Sequence, residues 1–309
     1  MRKKLIISTS ILFFLIAFLL LTSCQTHGKF GNGEYKINNI NIYKGTPAWQ
    51  LALAVRDEKT ETIEKIIKSQ SQLLNYQEPK YGATLLLWAV GMEKYKSAET
   101  LLKSGADPYI ASKMGGRTSL FVAAGYSWVD SDAKKDPKYI KLLLSYGADP
   151  NKNYAGGDEH DQVTDPGTSP LMESIGSGIE KTKALVEGGA DINYKTPTGR
   201  TAAVFALEAG GPNSTLEAMG YAHYLIVEKQ AKVTAPYSLR GSNLVFYPVN
   251  DLRTWVYDLN SEKYKVKMDI VQEFSRQGVN YWDTKITSDE LSQIKKLYPD
   301  SWEDYIKKY

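Results

Sequence analysis

The chain has 309 residues, 42% hydrophobic and 24% charged, a balance that excludes both a disordered chain and a multi-span membrane protein for most of its length. A formal net charge of +3 over scattered lysines leaves no footprint for nucleic acid, which is not an expected partner.

The first residues, Met1-Arg2-Lys3-Lys4, precede an apolar run from Leu5 to Leu21 broken only by Ser8, Thr9 and Ser10. A short basic segment and then an apolar stretch are the parts of a secretory signal, although the run is also nearly long enough for an uncleaved membrane anchor. Leu21-Thr22-Ser23-Cys24 resembles the bacterial lipobox and favours cleavage. The resemblance implies that residues 1–23 are a signal peptide and that Cys24 is lipidated, with about 0.8 kcal/mol of membrane affinity for each buried methylene. It also accounts for the single cysteine, which in an exported protein is otherwise an intermolecular or reactive thiol. Gln25 stands where an aspartate would resemble the inner-membrane retention signal of enteric bacteria. The expected place is therefore the bacterial envelope, at the outer membrane facing the periplasm. Residues 24–45 read as the lipidated cysteine and a tether. Gly28, Gly31 and Gly33 have no strand before them and no helix pattern directly after, so they form a spacer rather than a phosphate cradle.

Beyond the tether the chain repeats itself. One copy opens Gly82-Ala83-Thr84-Leu85-Leu86-Leu87-Trp88-Ala89 and closes Leu101-Leu102-Lys103-Ser104-Gly105-Ala106-Asp107-Pro108-Tyr109. The next runs from Gly116-Arg117-Thr118-Ser119-Leu120 to Gly147-Ala148-Asp149-Pro150-Asn151, and a third from Ser169-Pro170-Leu171-Met172 to Gly189-Ala190-Asp191-Ile192-Asn193. A fourth starts at Gly199-Arg200-Thr201-Ala202-Ala203 and ends in a worn Lys229-Gln230-Ala231-Lys232. Three Gly-Ala-Asp closures resemble the ankyrin repeat, which implies an all-α solenoid of stacked helix pairs with β-turn fingers. In that register each threonine caps a first helix, the leucines and alanines after it face the neighbouring copy, and the paired leucines bury from the second helix. The closing glycine takes a left-handed conformation, and the aspartate bonds back to its own turn.

Spacing departs from the family in two copies: Thr84 to Gly105 spans 21 residues, whereas Thr118 to Gly147 and Thr201 to Gln230 each span 29. The extra residues fall around Tyr126–Asp136 and Gly210–Glu217, between the helices of a copy, and a further expansion lengthens the finger from about Tyr154 to Gly167. A worn copy upstream carries Trp49, Leu51, Leu53, Ala54, Ile63, Ile66 and Ile67; one downstream carries Met268, Ile270, Val271 and Phe274 before Gly278. The array with its degenerate caps is expected over residues 46–280. Residues 281–309 form a C-terminal helical cap, opened by the capping-box signature Thr287-Ser288-Asp289-Glu290.

Catalytic signals are sparse. Of His27, His160 and His223, only His160 sits among carboxylates, in Asp158-Glu159-His160-Asp161 with Asp165 nearby. The group lacks the spacing of a calcium loop or a helical zinc pair and reads as a solvated acidic loop, so no metal, cofactor or catalytic residue is expected. A hydrolase reading rests on that loop alone. The 21 tyrosines and 6 tryptophans point instead to protein contacts. Trp49, Trp88, Trp255 and Trp302 fit the core or caps, whereas Tyr109, Trp128, Tyr154 and Tyr194 fall in fingers or inserted loops. Together with Asp130, Glu159 and Asp161 these four are expected to form one protein-binding surface. The ankyrin lipoprotein architecture resembles that of immunity proteins, which implies neutralisation of a periplasm-acting toxin such as a lipase effector. The alternative is a scaffold or protective partner of an endogenous envelope enzyme such as a catalase.

Overall fold

A computed structural model describes residues 35–113, 115–129, 135–156 and 164–309. The expected signal peptide, residues 1–23, and Cys24 lie outside these residues. The fold is all-α, with a single antiparallel pair of two-residue strands, β1 (Tyr237–Ser238) and β2 (Val245–Phe246), among the described residues.

Helices alternate between two rows. The first row holds α1 (Trp49–Arg56), α3 (Leu85–Gly91), α5 (Ser119–Ala124), α7 (Pro170–Glu173), α9 (Ala202–Ala209) and α11 (Pro248–Arg253). The second holds α2 (Thr60–Ser69), α4 (Tyr95–Lys103), α6 (Lys138–Ser145), α8 (Ile179–Glu187), α10 (Leu216–Ala222) and α12 (Glu262–Arg276). From α1 to α10 each helix packs on its mate, and every helix packs on its neighbours within the row; α11 and α12 hold to the stack through α9 and α10. Two short helices, α13 (Ser288–Leu297) and α14 (Trp302–Ile306), follow.

Local chemistry explains the regular part. Four first-row helices, α3, α5, α7 and α9, are capped by a hydroxyl that accepts the amide three residues on: Thr84 from Leu87 at 3.2 Å, Thr118 from Phe121 at 3.2 Å, Ser169 from Met172 at 3.2 Å and Thr201 from Val204 at 3.3 Å. Leu101, Leu143 and Leu185 are fully buried where second-row helices meet the first row. Gly105, Gly147 and Gly189 then reverse the chain at φ +90°, +86° and +91°, which a Cβ would strain. In each closure the aspartate Oδ1 accepts its own i+2 amide, at 2.8, 2.8 and 2.9 Å for Asp107, Asp149 and Asp191.

The fingers are also tied to one another. Asn75, Asn151 and Asn193 accept the amides of Asp107, Asp191 and Lys232 in the following finger, at 2.9, 2.8 and 2.8 Å. Tyr109 stands where the other closures place asparagine, and its hydroxyl donates to the Gly147 carbonyl. Asn151 Nδ2 donates to the matching Gly189 carbonyl at 3.1 Å.

The regularity ends after α9. Gln230 replaces the closing glycine and is held at φ +55°, and the helix leading to it finishes in a π-helical turn, His223–Glu228, which absorbs extra chain. A hairpin of β1 and β2, which the sequence did not announce, then leads into α11. Side chains from this region grip the stack individually: Trp255 Nε1 donates to the Leu207 carbonyl at 3.0 Å, and the Tyr257 hydroxyl lies 2.7 Å from the Gly210 carbonyl. Two buried cations lock the chain end. Arg253 donates to the Tyr309 carbonyl at 2.7 Å, and Lys267 donates to the Trp255 carbonyl at 2.8 Å with its ammonium 3.9 Å from the Tyr309 ring centre. A second small core of Val256, Ile294, Tyr305 and Tyr309 seats α13 and α14. Thr287 and Glu290 cap α13 reciprocally, as their spacing predicts.

Candidate functional site

Because caps and fingers occupy one end of every helix pair and helix-to-helix turns the other, the expected surface residues divide into two groups. α5 and α6 have 6 and 8 residues, so these ends lie about 9–12 Å apart along the helices. Tyr109, Tyr154 and Tyr194 are at the finger end; Trp128 is at the turn end. Asp130, Glu159, Asp161 and the acidic loop around His160 lie outside the described residues.

Tyr154 is a correction. It is 1% exposed, stacked on Phe121 with ring centroids 5.6 Å apart and overlaid by the Arg117 guanidinium at 5.3 Å. The space for its ring comes from Gly115, where a Cβ would lie 2.7 Å from Tyr154 Cε2. Such a ring supports the finger and cannot anchor a partner without the finger opening. Tyr194 is half-buried against the main core beside Gly167. Tyr109 is half-exposed, so its ring face stays open although its hydroxyl is engaged.

At the turn end Trp128, in the described start of the connection that leaves α5, lies back on the preceding copy. Trp128 covers Gly91, where a Cβ would lie 2.3 Å from the indole, and its amide donates to the Gly91 carbonyl at 3.4 Å. Trp128 is thereby a half-buried wedge. The apolar surface shown outward belongs to its neighbours Tyr126 and Val129, 50% and 45% exposed, which the residue-type argument passed over in favour of tryptophan.

Next to this wedge is a cavity of about 250 Å³ lined by Val90, Glu93, Val122, Tyr126, Asp136 and Lys181, among others. Lys181 on α8 is 4% exposed and donates to the Gly125 carbonyl at 2.6 Å. Desolvation lowers its pKa to about 8, opposed by the charges of Glu93, Glu173 and Asp136.

A third polar cluster lies toward the finger end. Arg200 pairs with Asp165 at 3.2 Å and with Glu208, and its guanidinium lies 3.9 Å from the Phe205 ring centre. The Tyr237 hydroxyl reaches Asp251 Oδ1 and Oδ2 at 2.7 and 2.8 Å. Burial raises the pKa of Glu208 and pushes Asp251 well above the ordinary carboxylate range, with the Glu208 charge adding to the latter shift. This network joins the expanded finger, α9, the hairpin and α11. Among the described residues no group of histidine and carboxylate ligands could hold a metal ion.

No family model matches the chain. It is 30% identical over 121 residues to a glycerophosphocholine phosphodiesterase, GDE1, of Eremothecium gossypii, a match spanning 38% of this chain and 8% of that protein. It is 33% identical over 119 residues to Protein PhlB of Serratia liquefaciens, spanning 38% of this chain and 44% of that protein. The chain thus spans less than half the length of either curated relative.

Proposed function

We propose that the chain is an ankyrin-type solenoid, lipid-anchored through Cys24 in the bacterial envelope, that binds another protein rather than catalysing a reaction. The observation that carries this reading is the repeated unit itself: hydroxyl cap, buried leucine, left-handed glycine and a polar link to the next finger recur along the stack. An array of this kind leaves its fingers and inserted turns as the adaptable surface. Here that surface offers Tyr126 and Val129 beside the Trp128 wedge at one end, and Tyr109 at the other.

The partner we favour is a periplasm-acting toxin such as a lipase effector, with this chain as the immunity protein held at the membrane under attack. The match to the phosphodiesterase does not shift the reading toward an enzyme, because it involves 8% of that protein. Among the described residues no helix is long and apolar enough to cross a membrane. A host lacking the gene is the test. Toxin genes sought beside this one are expressed in its periplasm: one of them should stop growth, the full chain should restore it, and Cys24→Ala should restore it less and take up no palmitate analogue. If the full chain gives no protection and deletion instead abolishes an endogenous envelope activity, the scaffold alternative replaces this one.

A further inference from the structure

One lysine faces inward where its helix pattern calls for an apolar residue. Lys181 stands one turn before Leu185 on the buried face of α8, and Leu185 is fully enclosed. The Lys181 ammonium has the Gly125 carbonyl at 2.6 Å, and no carboxylate among the described residues comes within ion-pair distance. The charges of Glu93, Glu173 and Asp136 act at longer range and offset only part of the desolvation, which leaves the pKa at about 8. About a quarter of such amines are neutral at pH 7.5, against on the order of one in a thousand for an ordinary exposed lysine. The neutral amine is the nucleophilic form.

The cavity gives that amine an approach. Its volume of about 250 Å³ falls below the roughly 300–1,000 Å³ of sites for drug-sized ligands, so its guest is a molecule of a few heavy atoms. Val90, Val122 and Ala123 make apolar walls, and the charges around them balance, Glu93 and Asp136 against Lys135 and Lys138. An uncharged guest suits the lining.

We propose that Lys181 is a covalent modification site for small uncharged aldehydes, which enter this cavity and form an imine with its amine. The Nζ lone pair adds to the carbonyl carbon, the π pair moves to oxygen, nitrogen loses one proton and oxygen gains one. The carbinolamine then loses its oxygen as water while nitrogen gives up its second proton and the C=N bond forms. Nothing is oxidised or reduced. The Gly125 carbonyl orients the amine, and Glu93 and Asp136 are the lining groups able to carry the protons.

The test uses the purified full chain, propanal at pH 7.5 and cyanoborohydride to trap the imine, with each lysine quantified by peptide mass spectrometry. The Lys181 adduct should accumulate at least about ten-fold faster than adducts at the exposed Lys65 and Lys308. Its rate should reach half-maximum near pH 8, while theirs keeps rising. Lys181→Arg should remove the adduct. Labelling of Lys181 no faster than Lys65, or only in urea, overturns the proposal.

Discussion

Residues 84–193 and 201–309 continue the same two rows of helices but are held by different means. In the first stretch every joint repeats: a hydroxyl cap, a fully buried leucine, a left-handed glycine, and an asparagine or tyrosine bonded to the next finger. In the second, after the Thr201 cap, the joints occur once each: Trp255 on Leu207, Tyr257 on Gly210, and Arg253 and Lys267 against the Tyr281 and Tyr309 rings. A repeated local motif can be lost at one place without ending the stack, whereas a single long-range lock cannot be replaced by its neighbours. The largest expected effect nevertheless falls in the regular stretch, because it removes core volume. Leu143→Ala should cost about 2–5 kcal/mol in chemical denaturation, while the same exchange at exposed Lys141 should leave the midpoint almost unchanged. Equal midpoints for the two variants would contradict the packing register.

Arg253→Ala sharpens the contrast. It removes a guanidinium centred 4.6 Å from both the Tyr281 and Tyr309 rings together with its bond to the Tyr309 carbonyl. A loss of about 2–3 kcal/mol is expected, from one desolvated cation–π contact and one charged hydrogen bond. Hydrogen exchange should locate it: amides of α13 and α14 should lose protection while those of α4 and α6 keep theirs. Uniform loss along the chain would mean that the two stretches are not separable.

Thr118→Ala should have a smaller effect, about 0.5–2 kcal/mol, by leaving the Phe121 amide without its cap. The pH dependence is smaller again and is read as a slope. Asp251 and Glu208 have folded pKa values raised above their unfolded values, mainly by burial, so the folded state holds these protons more tightly. Their contribution is fully present below the unfolded carboxylate range and is lost as pH rises through the folded values. Asp251→Asn should therefore flatten the decline in stability toward neutral and alkaline pH. An unchanged slope in the variant would show that these protons are not taken up by the network.

The two stretches also differ in how far they could be read from sequence. The caps, paired leucines and Gly-Ala-Asp closures are local, so their spacing alone places them. Tyr154 was misread because what buries it, the gap at Gly115 and the face of Phe121, comes from the preceding copy. Trp128 was expected to project, but Gly91 leaves a bare helix end on which the indole rests. The hairpin and α11 carry too few periodic residues to announce themselves. Lys181 and Lys267 did leave a signal: each sits one turn before a buried residue, Leu185 and Val271, on the same helix face.

Binding of a protein through the inserted turn is the central functional claim, and affinity tests it most directly. The partner recovered by pull-down with the full chain from envelope extract should be titrated calorimetrically with the wild-type chain, with Tyr126→Ala, and with Val129→Asp, which puts a charge on the same outward ridge. The account predicts saturable binding, a loss of about 1–4 kcal/mol for each variant and nearly unchanged melting temperatures. Wild-type affinity in the double variant would move the interface away from this ridge, and an activity requiring His160 would replace binding with catalysis.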